Sequence, residues 1–312
     1  MSEIPSAQRL PSVTAVIATQ DRVELLQRAV TAIWNQSYAG SITINIVYDN
    51  HLAHPELARR AENREVRVLS NDRTPGLAGA RNTGILATQT DLVAFCDDDD
   101  AWKPDKLSKQ VELLSSQSAQ ACVSGIEIEY GDKRIVRIPQ VASLNSETIT
   151  RDRLTGAHPS SYLFDRHFLA EQIGLVDESI PYGYGEDYDL LIRAAKHGRV
   201  ALLPEPAVNV LWHKGGSYFS RRWEAMEAGI SFLIVKHPEL TATKPTAAWL
   251  HGQRAFALAS LKNRRSEAVK VATQSIRLNP RQPRGYLALA VCTGALSPQW
   301  VVNRLNEKGR GI

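Results

Sequence analysis

Hydrophobic residues in the first third of the chain form short runs, and stretches with apolar residues near helical spacing lie between them. Runs without alternation are typical of strands that are buried on both faces of a parallel sheet. The pattern predicts a helix from Val23, with Asp21 as its N-cap, and a second helix over residues 56–63. It predicts strands at residues 12–18, 42–48, 66–69 and 92–96. Strands that alternate with helices favour an α/β fold with a doubly wound, mostly parallel sheet.

Four consecutive carboxylates, Asp97 to Asp100, follow directly after the predicted strand at residues 92–96. Ligands of open α/β sheets bind outside the carboxyl ends of the strands. Adjacent carboxylates repel one another, and a divalent cation with oxygen ligands offsets that repulsion. A solvated acidic turn is the alternative. The buried strand before the acids, and Trp102 and Pro104 after them, favour a ligand site.

The middle of the chain contains a predicted β-hairpin, residues 121–130 and 134–138, around the turn Gly131-Asp132. Residues 139–157 show no regular pattern, and we expect a mobile loop over the site. A strand is predicted at residues 158–164, followed by a helix. Farther on, a loop of aromatic residues and glycines leads into a helix over residues 188–197.

Composition is that of a soluble globular protein: 312 residues, of which 43% are hydrophobic and 22% are charged. The three cysteines lack metal-site spacing, so we expect reduced thiols in a cytosolic protein. No targeting segment and no apolar stretch long enough to span a bilayer is expected.

Charge divides the chain unevenly. From Lys244 onward, twelve basic residues stand against two acidic ones, a net charge of +10. The total is +4, so residues 1–243 carry −6. We place a domain boundary in the region of residues 222–245 and draw it at residues 222–223, with a basic α-helical region over residues 223–312. This tail suits an anionic membrane surface, although a merely solvated basic face and packing on the catalytic domain or on a second subunit are alternatives. Nucleic-acid binding is not expected, because no binding motif accompanies the charge.

Several motifs in order resemble the family 2 glycosyltransferases of the GT-A fold. The likeness covers roughly residues 12–217, and the motifs are Val16-Ile-Ala-Thr-Gln-Asp-Arg22, Trp34-Asn-Gln36, Val47-Tyr-Asp-Asn50, Gly79-Ala-Arg-Asn-Thr-Gly-Ile85, the acidic run to Leu107, and Gly185-Glu-Asp-Tyr-Asp-Leu190. The resemblance implies a catalytic domain over residues 1–222, with a donor half at about 12–107 and an acceptor half at about 108–222. It further implies a nucleoside-diphosphate-sugar donor, Mn²⁺ or Mg²⁺, and inversion at the anomeric carbon. His51 stands where the family often has glycine, which leaves the nucleotide base open, with a UDP-sugar favoured.

The resemblance also assigns the donor and metal residues. Those for the nucleotide-sugar are Thr19, Arg22, Asp49, Arg81, Asn82, Asp97 and Asp98, and those for the metal are Asp97, Asp99 and His213. By residue type alone, Thr19 could equally be a helix cap, Asp49 a turn residue, Arg81 a solvated residue and His213 a structural histidine.

The same resemblance makes Asp187 the base that deprotonates the acceptor hydroxyl, with Glu186 as an orienting or acceptor-binding residue. The alternative is a helix N-terminus whose acids favour the dipole. Acceptor contacts are assigned to His158, Tyr182, Tyr184 and Asp100, with a structural role as the alternative for His158.

Taken together, the sequence predicts a cytoplasmic or peripherally membrane-associated transferase that acts on a glycan, lipid-linked or small-molecule hydroxyl, with a homodimer as one arrangement. The alternative from another class is a catalytically silent scaffold, whose helical tail faintly resembles a tetratricopeptide pair around Leu278-Asn-Pro280. A nucleotidyltransferase is less well supported, since Thr19-Gln-Asp-Arg22 stands in place of the expected glycine-rich loop.

Overall fold

The computed structural model describes residues 9–20, 22–141, 143–151, 156–212, 223–261 and 263–307. The first part of the chain contains β1 (Val13–Thr19), α1 (Val23–Trp34), β2 (Ile42–Tyr48), β3 (Arg59–Ala61), β4 (Arg64–Ser70), α2 (Leu77–Leu86), β5 (Leu92–Asp97), β6 (Ala101–Trp102) and α3 (Lys106–Gln117). The second part contains β7 (Ala121–Tyr130), β8 (Lys133–Arg137), α4 (Ser146–Arg151), β9 (Leu163–Asp165), α5 (Glu186–His197) and β10 (Val200–Leu211). The C-terminal part contains α6 (Trp223–Lys236), α7 (Lys244–Ser260), α8 (Arg265–Leu278), α9 (Pro283–Cys292) and α10 (Pro298–Asn306).

Within the described residues, ten strands form one mixed sheet in the order β3-β4-β2-β1-β5-β9-β7-β10-β6, with β8 paired to β7. Strands β4, β2, β1 and β5 are mutually parallel, as are β7 and β10. Strand β9 runs antiparallel to both β5 and β7 and so joins the two parallel halves. The predicted α/β sheet with a C-terminal helical extension is confirmed, and the four predicted strands are present to within two residues at each end.

Helices cover both faces of the sheet because side chains alternate along each strand. In β1, Val13, Ala15 and Ile17 pack with Leu26 of α1 on one face. Val16 points to the other face, where α2, α5 and α6 pack. Burial on both faces is the physical reason for the unbroken apolar runs.

Two predictions of local structure are wrong. Residues 56–63 do not form a helix: a 3₁₀ turn, Pro55–Leu57, is followed by β3, which pairs antiparallel with β4 at the sheet edge. Residues 139–157 contain α4. Its start is set by Asn145 and Thr148, since the Asn145 side chain accepts from the Thr148 amide at 2.9 Å and Thr148 accepts from the Asn145 amide at 3.0 Å.

Other predictions of local structure differ in extent or lie outside the described residues. The strand predicted at residues 158–164 is shorter, because a 3₁₀ turn, Pro159–Ser161, precedes β9. Asp21, the predicted cap of α1, and residues 142 and 152–155 of the predicted loop lie outside the described residues.

The C-terminal helices begin inside the core of the sheet. Met226 and Ile230 of α6 belong to the same buried cluster as Tyr188 of α5. Phe256 of α7 is buried in a further cluster formed with α8, α9 and α10. The boundary at residues 222–223 stays a prediction. None of the helices in the described part of the chain has the length and apolar content needed to cross a bilayer.

Candidate active site

Three neighbouring parallel strands end at the same edge of the sheet and bring distant polar residues together. In the strand register, Thr19 at the end of β1 lies beside Tyr48, which Asp49 follows, and Ala18 lies beside Asp97 at the end of β5. The site is therefore positioned by sheet order, at the edge where open α/β sheets bind ligands.

Arg22 and Thr19 hold the second and third acids of the run. The Thr19 hydroxyl donates to Asp98 at 2.6 Å, and Arg22 donates to Asp98 through Nε at 3.2 Å and through Nη2. Arg22 Nη1 donates to Asp99 at 2.7 Å. Burial raises the pKa of Asp98, although its bonds with Arg22 and Thr19 oppose the shift. These four predicted donor and metal residues form one cluster.

Asp100 lies beneath the site and is only 1% exposed. Its Oδ2 accepts from the Ser160 hydroxyl at 2.5 Å and lies 3.4 Å from Nδ1 of His158, while Oδ1 accepts from the Leu211 amide at 3.3 Å. Burial, followed by the charges of Asp97 and Asp99, raises the pKa of Asp100 well above its usual range. The predicted acceptor contact of Asp100 stays a prediction, and the geometry also suits the orientation of His158.

Arg81 joins the two acidic clusters. It lies on α2, is 3% exposed, and donates to Asp97 at 2.7 Å and to Glu186. Burial lowers the pKa of Arg81, but Asp97, Glu186 and Asp187 more than offset this and raise it above its ordinary value. The residue stays cationic, so a fixed positive charge links the end of β5 to the start of α5.

Glu186 and Asp187 open α5 beside this arginine. Glu186 is buried, and its burial raises its pKa although Arg81 acts in the opposite direction. Asp187 is half-buried, and its charge raises the pKa of both Arg81 and His158. Asp187 directly follows Glu186, which pairs with Arg81, the partner of Asp97. Two acidic clusters about ninety residues apart in the sequence meet across one cleft.

The loop before α5 carries the two predicted acceptor tyrosines. Tyr182 is 58% exposed and has a left-handed backbone with φ of 57°. Tyr184 is half-buried and lies against Gly229 of α6. A Cβ at residue 229 would come within 2.4 Å of the Tyr184 carbonyl oxygen, so this close approach needs glycine. Left-handed backbone in a non-glycine residue is costly and concentrates at functional sites.

Asp49 and Asn82 make the hydrogen bonds described here to residues outside the acidic run. Asp49 is buried and accepts from the Asn71 side chain at 2.8 Å and the Gly76 amide at 3.0 Å. Asn82 donates to the carbonyl of Val176 at 2.8 Å and to Glu178 at 2.6 Å. The Asn82 amide thus holds a neighbouring loop, and its donor role stays a prediction.

Glu178 and Ser160 are site residues that sequence reasoning missed. Glu178 also accepts from Arg73 at 2.5 Å, so it ties two loops to α2. Burial raises its pKa, but hydrogen bonds from Asn82, Thr74 and Arg73 lower it to about 2. A carboxylate in a loop carries no periodic signal, so only the fold reveals these contacts.

The residues present fit a divalent cation. Asp97, Asp100 and His158 offer ligand atoms that all lie within 4.8 Å of one another. Two arginines pair with four acids of the site: Arg22 with Asp98 and Asp99, and Arg81 with Asp97 and Glu186, while Asp100 and Asp187 add two further carboxylates. Carboxylate oxygens in excess of cationic partners suit Mn²⁺ or Mg²⁺. Burial lowers the pKa of His158, although Asp97 and Asp187 raise it, which favours the neutral imidazole that metals require. His213, the third predicted ligand, lies outside the described residues.

A mixed sheet whose β5 ends in an acidic run facing a second carboxylate pair defines a GT-A-type glycosyltransferase. The sequence-family model described as glycosyl transferase family 2 matches residues 14–169, half of the chain. The chain therefore belongs to glycosyl transferase family 2.

Individual proteins agree with this assignment. The succinoglycan biosynthesis protein ExoO of Rhizobium meliloti (strain 1021) is 29% identical over 228 residues, which cover 67% of this chain and 62% of that protein. The chain thus spans less than two thirds of the length of this relative.

Two solved structures share the fold. TarS 1–349 of S. aureus, in complex with UDP-GlcNAc, superposes with a TM-score of 0.61 at 13% identity, over 96% of this chain and 92% of that one. The mannosyltransferase PcManGT of Pyrobaculum calidifontis, in complex with GDP-Man and Mn²⁺, gives 0.57 at 18% identity, over 96% and 84%. At these identities the likeness shows the fold alone.

Proposed function

We propose that the protein is a metal-dependent inverting glycosyltransferase that moves a sugar from a nucleoside-diphosphate-sugar to a hydroxyl acceptor. The observation that carries the proposal is the pairing of the buried Arg81 with both Asp97 and Glu186, the residue that precedes Asp187. This arrangement supports a diphosphate-binding edge at the end of β5 with a carboxylate at the start of α5 as the base.

The donor half is supported by the strand ends. Thr19, Arg22, Asp49 and Asp98 lie at the edge where β1, β2 and β5 end. We propose a UDP-sugar, the class of donor described with TarS, and a GDP-sugar, described with PcManGT, is the alternative that the test below includes. Asp97 and Asp99 would hold the cation, with Asp100 and His158, whose ligand atoms lie close to Asp97, as further ligands. When bound, such a cation acts as a Lewis acid that neutralises charge developing on the diphosphate.

The chain's own residues perform the remaining chemistry. Asp187 accepts the proton of the acceptor hydroxyl while that oxygen bonds to the anomeric carbon. The bond from this carbon to the diphosphate oxygen breaks at the same time, and the leaving oxygen keeps the electron pair. Attack from the opposite face inverts the anomeric centre. Arg81 positions both carboxylate clusters, and Tyr182 offers an exposed ring to the acceptor.

The acceptor class follows from a relative. ExoO is named for succinoglycan biosynthesis, which supports a role in cell-surface glycan or polysaccharide synthesis with a glycan or lipid-linked acceptor. We further propose that the protein acts in the cytoplasm at the inner face of the membrane, since the segment from Lys244 carries a net charge of +10. Nothing observed favours the silent scaffold.

Two measurements test the proposal. A thermal-shift panel of nucleoside diphosphates, with and without Mn²⁺, identifies the nucleotide, and Mn²⁺-dependent hydrolysis of the matching nucleotide-sugar separates an enzyme from a scaffold. Asp187→Asn should retain nucleotide binding while transfer falls roughly a hundredfold or more, the scale of a lost general base. Asp132→Asn in the exposed hairpin turn is the matched control and should match the wild type. Equal loss of binding and transfer in Asp187→Asn would place this residue in the binding shell instead.

A further inference from the structure

The two arginines of the site are held in different ways. Arg81 is 3% exposed and lies between the buried Glu186 and Asp97, so it cannot leave without unpairing buried acids. The Arg22 side chain is 44% exposed and covers Asp98 and Asp99 from the solvent side. Only Arg22 has room to change partner.

Arg22 is attached at a point that permits such a change. It follows β1 and directly precedes α1, and its side chain makes no capping bond to that helix. Its contacts to Asp98 and Asp99 all come from the guanidinium at the end of a flexible stem. Rotation of this stem would redirect the charge without moving β1 or α1.

Asp99 is also the acid to which the proposed cation is assigned. A guanidinium 2.7 Å from Asp99 competes with a divalent cation for that carboxylate, since two cations at one carboxylate repel each other. A diphosphate offers the alternative partner, because the arginine fork pairs with phosphate oxygens as well as with carboxylates.

We propose that Arg22 is an exchangeable counter-ion, which neutralises Asp98 and Asp99 until the donor binds and then transfers its charge to the diphosphate and releases Asp99 to the cation. The inference rests on the proposed function. Its consequence is thermodynamic coupling: Arg22 weakens binding of the cation alone and strengthens binding of the diphosphate, so each ligand promotes the other.

The test measures binding and needs no turnover. Binding of Mn²⁺ is followed by electron paramagnetic resonance of the free ion, once without nucleotide and once with UDP. GDP is tested in parallel, because the nucleotide base of the donor is not assigned. In Arg22→Gln, the Kd for Mn²⁺ alone should fall roughly tenfold and the Kd for UDP with Mn²⁺ should rise roughly tenfold, each equal to about 1.4 kcal/mol. With the Kd for UDP alone unchanged, the thermodynamic cycle then requires the promotion of Mn²⁺ binding by UDP to shrink roughly tenfold.

Two further variants separate charge from geometry. Arg22→Lys keeps the charge but loses the fork, so it should bind Mn²⁺ alone as the wild type does while binding UDP more weakly. Arg9→Gln removes an equal charge from the pair with Asp91, which precedes β5 at the opposite edge of the sheet, and both affinities should stay within about twofold of the wild type.

The outcomes distinguish this inference from the proposed function. If the wild type binds UDP with Mn²⁺ but Arg22→Gln leaves the affinity for Mn²⁺ alone unchanged or weaker, the exchange is refuted and the proposed function stands. If the wild type binds neither nucleotide with Mn²⁺, both fail.

Discussion

Asp189 connects the helix that carries the proposed base to the C-terminal helices, and its removal should destabilise the protein strongly. It lies on α5 and is 0% exposed. It accepts from Arg193 Nε at 2.9 Å, from His237 Nε2 at 2.8 Å and from Lys236 Nζ at 2.7 Å. Lys236 is the last residue of α6, and His237 directly precedes the 3₁₀ turn Pro238–Thr241. One buried carboxylate therefore balances donors from two parts of the chain.

The magnitude follows from this burial. Asp189→Asn preserves the shape but leaves buried donors without a charged partner, which costs about 3–5 kcal/mol in the free energy of unfolding. At about 2 °C per kcal/mol for a chain of this size, Tm should fall by about 6–10 °C. Asp177→Asn is the matched control: Asp177 also accepts from Lys236, at 2.6 Å, but its side chain is 22% exposed, so its loss should cost about 1 kcal/mol or less.

The pH dependence adds an independent check. Burial raises the pKa of Asp189, but the bonds from His237 and Lys236 and the charge of Arg193 more than offset this and hold it below its ordinary value. A carboxylate with a depressed folded pKa contributes stability that is present above its unfolded pKa, about 3.9, and is lost as pH falls through the folded pKa. The difference in the free energy of unfolding between wild type and Asp189→Asn should therefore become smaller below about pH 4.

Urea unfolding at pH 7 and at pH 3.5 measures these quantities. An Asp189→Asn protein within 1 kcal/mol of the wild type at pH 7 would refute the reasoning. So would a loss no larger than that of Asp177→Asn. Either result would mean that the donors around Asp189 are solvated well enough to do without its charge.

Two substitutions in the core should act in opposite directions. Burial lowers the pKa of Lys106 to about 7, so wild-type stability rises with pH between about 7 and 10, where the unfolded lysine still holds its proton. Lys106→Met should thus be at least as stable as the wild type in urea unfolding at pH 6, with an advantage that shrinks towards pH 10, and a pH-independent loss would contradict this. Gly84→Ala should destabilise by about 1–3 kcal/mol despite the better helix propensity of alanine, because its Cβ would lie 2.3 Å from Cγ1 of Val16 on β1. An unchanged midpoint of thermal unfolding would show that α2 can shift away from the sheet at little cost.

The elements that the sequence predicted well are those whose environment is periodic. Strands β2 and β7 match their predicted residues, since each buries apolar side chains in a pattern that local spacing reveals. β3 was missed because all three of its residues are exposed, so no apolar pattern marks it. It is a strand because β4 supplies its backbone partners at the sheet edge.

The site divides in a similar way. The acids at Asp97 to Asp100 and the pair Glu186-Asp187 could be identified from residue type and motif. The burial of Arg81 could not, because an arginine on a helix is most often solvated. Its contact with Glu186 spans 105 residues and exists only after α2 and α5 pack on the same face of the sheet.

By itself, the sequence determined the buried strands of the sheet, the family and the carboxylates to which the chemistry is assigned, because these depend on local spacing and on residue type. Tertiary structure alone decided which carboxylates pair with the same arginine, which arginine is buried and which is exposed, and that α6 packs in the core with the helix that carries the proposed base. The physical reason is that charge pairing and desolvation act through space, between groups that only the order of strands in the sheet brings within a few ångströms.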